Sequence, residues 1–282
     1  AYVSAATNLV PGDTNGAADV LVWDAGLIES FLVSQASDGT QGNGPSSAAA
    51  ISDDGNCVVF QSDATNLVPG DDNGNTDVFL RDLVAGETVL VSAGIDGTVA
   101  EGASEAPAVS SDCRFVAFQS SASDIVEDDI NGSLDVFVRD LQLGRVTRVS
   151  VASNGAGGDD SSGAPSISGD GRWVSFSSAA GNLVGLPLNA AVNIYVHDRL
   201  TRVTDLVSRE VVGSAVSDEG ANADSAAAQI ASSGRAIVFH GGSSNILDQD
   251  PTFEDVFVWT NEGYDLGQDL NVDGVGDGAA TD

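Results

Sequence analysis

Short apolar runs alternate with clusters of turn-forming residues along the chain. The runs are rich in Val, Ile and Phe, as in "PAVS", "FVAF", "VFVRD" and "RVSV", whereas Gly, Asp, Asn and Ser dominate the clusters. Short runs of β-branched and aromatic residues bounded by turn residues are typical of β-strands. No window has the periodicity of a capped amphipathic helix, so the sequence predicts an all-β protein. We name these four runs, in chain order, strands a, b, c and d of one unit.

The four-strand unit recurs with a period of 58 residues. The positions that open strand c show the spacing: they are Asp19, Asp77, Asp135 and Asn193, and Asp255 follows after 62 residues. We place five units at approximately 1–40, 41–98, 99–156, 157–214 and 215–260, followed by an acidic tail, 261–282. Four-stranded sheets repeated around an axis form a β-propeller. The sequence therefore predicts a propeller with about five recognisable blades, or six if another segment or chain completes them.

Both ends of the repeat are incomplete. The first unit begins in strand b, at Tyr2, and the last has no recognisable strand d after "DVFVWT". Three explanations stay open: the tail supplies a strand, the chain is a fragment of a larger ring, or a neighbouring chain completes the blades. An unpaired sheet edge is a template for strand addition, so the third explanation predicts a homo-oligomer or a filament.

Two motifs carry a resemblance to a known family. They are "PSISGDGRWVSFSS", which begins at Pro165, and the recurring "DVFVRD". Both resemble the TolB-type, WD40-like PD40 repeat, whose units read approximately as Pro-x-x-Ser-x-Asp-Gly-x-x-Val-x-Phe and then Asp-Val-Phe-Val-x-Asp. The resemblance covers nearly the whole chain and implies a β-propeller of four-stranded blades. It implies little about function, because the family includes scaffolds, binding modules and propellers attached to enzymes.

The charge of the chain narrows its choice of partners. There are 42 Asp and Glu against 10 Lys and Arg, which gives a net charge of −32. Such a surface repels phosphate backbones and anionic lipids, so it argues against nucleic acids and membranes as partners and favours cations. The sequence has neither an initial Met nor a signal peptide, which we interpret as a processed exported chain or a fragment. We therefore expect an extracellular, cell-surface or periplasmic location.

An acidic loop precedes strand c in the first three units, as in "GDDNGNTDVF" from Gly70. Each copy has Asp, Asn and Asp at positions 1, 3 and 7. The three sets are Asp13, Asn15 and Asp19; Asp71, Asn73 and Asp77; and Asp129, Asn131 and Asp135. Calcium prefers carboxylate, amide and backbone oxygens, and takes six to eight of them at about 2.4 Å. The spacing therefore predicts a calcium site in each of these loops.

The alternative interpretation of these loops is a plain hairpin turn. Asn-Gly is a strong hairpin signal by itself, with the first Asp closing an Asx-turn and the last Asp opening the strand. The fourth unit, with Pro187 and Asn193 in place of the two aspartates, is not expected to bind a cation. The fifth keeps Asp248, Asp250 and Asp255 but has lost the Asn-Gly.

The tail contains a second calcium-type motif, "DLNVDGVGD". It places Asp269, Asn271, Asp273 and Asp277 at positions 1, 3, 5 and 9 of a loop that looks like the short calcium loops of EF-hand and dockerin repeats. A bidentate Glu at position 12 is lacking, since Ala280 lies there. The alternative is an acidic, glycine-rich disordered tail.

Chemistry that would indicate an enzyme is lacking from the sequence. The two histidines, His197 and His240, lie in strands, and there is no nucleophile elbow, phosphate-binding glycine loop or zinc pattern. The two cysteines, Cys57 and Cys113, have no metal-ligand spacing, and a single disulfide and two buried thiols are both possible. We therefore interpret the chain as non-catalytic.

These observations favour a secreted, calcium-stabilised propeller that acts as a binding or structural module. Its expected partners are calcium ions and either a second copy of itself, another surface protein or a glycan. The alternative is a self-assembling surface or filament subunit completed by strand exchange. A third interpretation, which fewer observations support, is the propeller domain of an enzyme.

Overall fold

The computed structural model describes residues 1–186, 188, 191–212, 215–221, 223–242, 246, 255–260 and 263–264. Every regular element in this part of the chain is a β-strand, and the strands form successive antiparallel sheets. No helix within it is long and apolar enough to cross a membrane. The protein is an all-β propeller-type structure, as the sequence predicts.

The strands follow the order a, b, c and d in each sheet, with neighbours in sequence paired in space. The first sheet contains β1 (Tyr2–Ser4), β2 (Asp19–Asp24) and β3 (Glu29–Leu32). The second contains β4 (Ser46–Ile51), β5 (Cys57–Ser62), β6 (Asp77–Asp82) and β7 (Glu87–Leu90). The third contains β8 (Ser104–Val109), β9 (Phe115–Ser120), β10 (Asp135–Asp140) and β11 (Arg145–Arg148). The fourth contains β12 (Ser162–Ile167), β13 (Trp173–Ser178), β14 (Asn193–Asp198) and β15 (Val203–Leu206).

The fifth sheet has two features that the repeat pattern does not show. An additional hairpin of β16 (Arg209–Val212) and β17 (Ala215–Gly220) precedes it, and this insertion makes the last connection longer than the others. The sheet itself contains β18 (Ser225–Ile230), β19 (Ala236–Gly241), β20 (Asp255–Thr260) and β21 (Gly263–Tyr264). The last unit has a fourth strand, because the two residues of β21 pair with β20. These residues lie in the segment assigned to the tail, so for this unit the first of the three explanations, a strand supplied by the tail, is confirmed. The three-stranded first sheet agrees with the prediction.

Successive sheets pack face to face. Strands b and c of each of sheets two to five carry an aromatic cross-strand pair, and this pair packs against the preceding sheet. The pairs are Phe60–Phe79, Phe118–Phe137, Phe176–Tyr195 and Phe239–Phe257, with ring centroids 5.2–5.8 Å apart. All four strand b phenylalanines are at most 1% exposed, which confirms their expected place in the core between blades. In the second, third and fourth sheets both faces of the middle strands are buried, because each of these sheets has a neighbouring sheet on both sides.

Every strand a has a β-bulge at the same position. The pairing with strand b shifts register there, and an alanine adopts a left-handed backbone conformation, with φ between 48° and 51°. These alanines are Ala48, Ala106, Ala164 and Ala227. The preceding blade holds two of the bulges, since Gln61 Oε1 accepts from the Ala106 N–H at 2.9 Å and Gln119 Oε1 from the Ala164 N–H at 2.8 Å. Each of these two bulges is therefore hydrogen-bonded to the preceding blade.

The turns between strands a and b meet at one end of the molecule. The Ser111 N–H donates to Gly169 O at 2.9 Å, and the Gly169 N–H donates to Ser232 O at 2.8 Å. The hydroxyls of Ser111 and Ser232 both donate to the Asp53 carboxylate, at 2.5 and 2.7 Å. Sheets two to five are thus linked at this end. Among the described strands the first and fifth sheets do not pack extensively on each other, so the sheets themselves are not closed into a ring.

A disulfide joins the second and third blades. Cys57, at the start of β5, is bonded to Cys113 in the turn that precedes β9, with a Cα–Cα distance of 6.1 Å. Cys113 adopts a left-handed conformation, with φ of 63°, at a position where the other units have Gly55, Gly171 and Gly234. The structure therefore settles the choice that the sequence left open between a disulfide and two thiols.

Candidate functional site

The last Asp of each acidic loop is buried and joins the start of strand c to the end of strand d. Asp19, Asp77 and Asp135 are 0% exposed. Each accepts a hydrogen bond, at 2.5–2.8 Å, from a buried serine that follows strand d. The same serine hydroxyls accept from the backbone N–H of the residue after each Asp, at 3.0–3.2 Å. These serines are Ser34, Ser92 and Ser150.

The Asn of each loop acts as a clamp within the turn. Its Oδ1 accepts from the backbone N–H two residues later, at 2.7–2.9 Å. Its Nδ2 donates both to the buried Asp and to a backbone carbonyl of the segment that leads to the next blade. The following glycines, Gly16, Gly74 and Gly132, have φ of 65–69°, a conformation that favours glycine. Asn15, Asn73 and Asn131 therefore have the turn geometry of the hairpin interpretation, and a cation would bind through the carboxylates.

A glutamine bridges the two carboxylates in the first loop. Gln41 Nε2 donates to Asp13 Oδ1 and to Asp19 Oδ2, both at 2.9 Å. A single nitrogen atom thus lies between the two aspartates. Gln41 comes from the segment that connects the first and second sheets.

An arginine occupies the corresponding place in the third loop. Arg148 Nη1 lies 3.4 Å from Asp129 Oδ1 and 3.3 Å from Asp135 Oδ2. Gly157, the repeat counterpart of Gln41, leaves room for it: a Cβ at Gly157 would lie 2.5 Å from Arg148 Nη2. The guanidinium therefore takes the space that the Gln41 side chain fills in the first loop.

The second loop has no such bridging side chain among the described residues. Val99 is the counterpart of Gln41, and Leu90 is the counterpart of Arg148. Asp71 is 7% exposed, and its Oδ1 is buried without a hydrogen-bond partner. Asp77 Oδ2 accepts from Asn73 at 2.9 Å, as Asp135 Oδ2 does from Asn131, but it lacks the second donor that Arg148 provides.

Burial and like charges make this pair of carboxylates unfavourable. Burial, with smaller contributions from the negative charges of Asp71 and Asp124, raises the pKa of Asp77 to about 6 against the hydrogen bonds from Ser92 and Asn73, which lower it. Burial, reinforced by Asp72, also raises the pKa of Asp71. Asp124 is an additional negative charge that the other loops lack, because they have an asparagine at this repeat position.

Those asparagines show what Asp124 has replaced. Asn66 and Asn182 each donate through Nδ2 to a backbone carbonyl, Gln41 O or Gly157 O, at 2.9 Å. A carboxylate at the same position can only accept. Asp124 accepts from the Glu101 N–H at 3.1 and 3.2 Å. The second loop therefore differs from its two relatives both by losing a donor and by gaining a negative charge.

In the fourth unit a neutral residue takes over the buried position. Asn193 is 1% exposed and its Oδ1 accepts from the Ser208 hydroxyl, at 2.9 Å, and from the Ala221 N–H, at 3.2 Å. The serine contact is thus kept without a charge. Asp248, Asp250 and all four predicted tail ligands, Asp269, Asn271, Asp273 and Asp277, lie outside the described residues, so their calcium motif stays a prediction.

Of the two histidines, His197 is the more deeply buried. His197 is 4% exposed, and its Nδ1 lies 2.8 Å from the Thr204 hydroxyl. That hydroxyl donates to Val151 O, so it accepts from His197, which places a proton on Nδ1. Burial lowers the pKa of His197 to about 4. Two arginines that precede strand b form bidentate pairs with the last Asp of strand c in the same blade: Arg114 with Asp140, and Arg172 with Asp198.

Sequence reasoning located the aspartates but missed their partners. Arg148 and Asp124 are each the single deviating residue in a repeat column, and aligning the columns would have singled them out, whereas the column of Gln41 has a different residue in each of the three units. The recurring serines after strand d were visible in the sequence but were not connected with the aspartates. Among the described residues no three Asp, Glu, His or Cys side chains are grouped as a complete metal site.

Known proteins resemble this chain in structure. No family model matches the sequence, and no curated protein matches it. A putative TolB from Agrobacterium tumefaciens is 16% identical, over 84% of this chain and 68% of its own, with a TM-score of 0.48. A prolyl endopeptidase is 13% identical, over 88% of this chain and 32% of its own, with a TM-score of 0.50. A puromycin-hydrolyzing peptidase from Mycobacterium tuberculosis is 16% identical, over 88% and 32%, with a TM-score of 0.47.

These neighbours bear on the fold alone. They include β-propellers, which agrees with the architecture of the sheets. The chain spans about a third of the length of either peptidase. At 13–16% identity, the similarity says nothing about activity.

Proposed function

We propose that this chain is a secreted, non-catalytic β-propeller that acts as a binding or structural module and that calcium stabilises. Its ligand on this view is another surface protein or a glycan. The observation that carries the proposal is the use of the acidic side chains: the buried Asp of each loop joins the start of strand c to the end of strand d, and in the second loop the buried Asp71 Oδ1 has no hydrogen-bond partner among the described residues.

The chemistry of the remaining titratable groups supports a structural use. His197 is neutral and bonded to Thr204, and the paired arginines bind carboxylates that end strand c. A general base needs a titratable group in reach of a substrate, with a pKa near the working pH. His197, buried and with its pKa lowered, does not match that description.

The disulfide and the charge support a location outside the cytoplasm. Disulfides persist in oxidising compartments and are rare in the cytosol. Calcium loops of extracellular modules bind at about 0.1–1 mM, which suits a medium rich in calcium. A net charge of −32 adds repulsion that bound cations would reduce.

The test is a thermal melt together with light scattering, each in 10 mM CaCl2 and in EDTA. We expect a monomer with a higher melting temperature in calcium, because an ion that binds only the folded state stabilises it by mass action. Equal melting temperatures in both buffers would contradict the calcium part. Hydrolysis of peptide or glycoside substrates by the purified chain would contradict the non-catalytic part.

A second candidate function is self-assembly by strand addition. It rests on the first sheet, where β1 pairs only with β2 among the described strands, so that its other edge is open. Open edges accept strands from other chains. Assembly would appear as a mass that grows with protein concentration, and a Val3→Pro substitution on β1 would reduce it. A constant monomer mass would leave the binding module as the function.

A further inference from the structure

The three acidic loops offer a comparison within one molecule. They share a backbone, a buried Asp, its serine and the Asn clamp, but they differ in what lies between the two carboxylates. In the first loop it is an amide nitrogen and in the third a guanidinium nitrogen. In both, one atom contacts Oδ1 of the first Asp and Oδ2 of the last.

We propose that the second loop binds one calcium ion between Asp71 and Asp77, at the place that Gln41 and Arg148 occupy in its relatives. This deepens the proposed function and rests on its calcium part. It also separates the three loops, since in the first and third a side-chain nitrogen of the fold already occupies the place between the two carboxylates.

The buried oxygen of Asp71 is the strongest support. Asp71 is more than nine-tenths buried, and its Oδ1, the counterpart of the atoms that contact Gln41 and Arg148, has no partner within the described chain. A buried carboxylate oxygen without a partner is unfavourable unless a hydrogen-bond donor or a cation satisfies it. Gln41 and Arg148 show that the backbone of this loop type accommodates a bridging atom at that place.

Asp124 makes the second loop the most negative of the three. It replaces an asparagine that donates to a carbonyl in both relatives. The carbonyl at the corresponding position, Val99 O, has no such donor from Asp124, because a carboxylate only accepts. Two buried carboxylates of one loop and the nearby charge of Asp124 form a hard-oxygen environment that suits calcium, with backbone oxygens and water completing the shell.

The sequence of the molecule itself supplies the test. Val99→Gln gives the second loop the bridging amide of the first, at a half-buried position where it removes no core packing. Asp71→Asn removes one proposed ligand. Asp72→Asn is the matched control, because Asp72 is an exposed neighbour in the same loop and the charge change is identical.

The measurement is the difference in melting temperature between 10 mM CaCl2 and EDTA, with calorimetric titration of CaCl2 into each full-length variant. For a site of about 1 mM affinity, mass action gives a shift of about 2 °C for a chain of this length. We expect Val99→Gln to melt higher than wild type in EDTA and to lose this shift and one bound calcium. Asp71→Asn should also lose both, and Asp72→Asn should keep them.

The outcomes separate this inference from the proposed function. Calcium bound by the tail is common to all variants and cancels in the comparison. If Val99→Gln and Asp71→Asn show the same calcium-dependent shift in melting temperature as wild type, the inference is wrong and calcium acts elsewhere. If Asp72→Asn loses the shift as fully as Asp71→Asn, the effect is one of net charge and the site is refuted. If wild type shows no shift, both fail. Asp71→Asn decides the matter if Val99→Gln does not fold.

Discussion

The disulfide between the second and third blades makes the clearest quantitative prediction. Cys57 and Cys113 are 56 residues apart, and a cross-link that closes a loop of that length restricts the unfolded chain by about 4 kcal/mol in the chain-entropy model. A chain of 282 residues has an unfolding entropy of about 0.6 kcal/mol/K, so removing the bond should lower the melting temperature by about 7 °C.

The choice of replacement for Cys113 refines this prediction. Its φ of 63° is unfavourable for a residue with a Cβ, and the other blades have glycine there. We therefore expect Cys57→Ala/Cys113→Gly to be about 1 kcal/mol more stable than Cys57→Ala/Cys113→Ala. The loss of the cross-link and the substitution at Cys57 are common to both variants and cancel.

The assay is urea unfolding followed by tryptophan fluorescence, with wild type in reducing buffer as a control for the bond alone. All three reduced or mutated forms should lose stability. A loss of less than 1 kcal/mol in the double variants would refute the loop-entropy argument. An alanine variant as stable as the glycine variant would refute the account of the backbone at residue 113.

Two further predictions concern buried or strained single residues. His197 has a folded-state pKa of about 4, below the ~6.5 of the unfolded chain, so the unfolded state binds the proton first and stability falls as the pH drops from about 6.5 to 4. Relative to His197→Gln, wild type should lose about 2 kcal/mol between pH 7.5 and 5 in urea unfolding, and parallel profiles would contradict this. The groups that face this ring are Asp198, Arg199 and Thr204. Ala106→Gly should raise stability by about 0.5–1 kcal/mol because Ala106 has φ of 51°, whereas Ala108→Gly in the same strand should lower it. A destabilising Ala106→Gly would show that the bulge is not strained.

The repeat predicted most of the fold because its signals recur. The start of strand c was placed at Asp19, Asp77, Asp135, Asn193 and Asp255, and these residues open β2, β6, β10, β14 and β20. The β16–β17 hairpin was missed because only one unit has the longer connection that forms it, whereas the equivalent connections of the first three units close with an isolated bridge. The two-residue strand β21 is too short to leave a pattern, so strand d of the last unit is not recognisable in the sequence.

The site could be predicted only in part, for a related reason. The aspartates recur at fixed spacing and are visible in the sequence, but their partners come from distant segments and occur once each. Gln41 lies in an interblade connection and Arg148 at the end of β11, and neither position repeats its residue type in the other units. Contacts that depend on a single copy are invisible to a search for repetition, although they decide the charge of each loop.

The four described blades that share this position therefore show one constraint with different solutions. Strand c needs a buried oxygen at its first residue, because that oxygen holds the serine that in turn caps the next backbone N–H. Asn193 provides the oxygen without a charge, whereas the aspartates bring a charge that must be balanced. The Gln41 amide donates to both carboxylates in the first loop and the Arg148 guanidinium pairs with both in the third, and in our proposal a calcium ion takes that place in the second. In this proposal the calcium site exists because the packing of strand c requires a buried oxygen, which an aspartate supplies together with a charge. Single substitutions near that aspartate would then create or remove calcium binding while the fold stays the same.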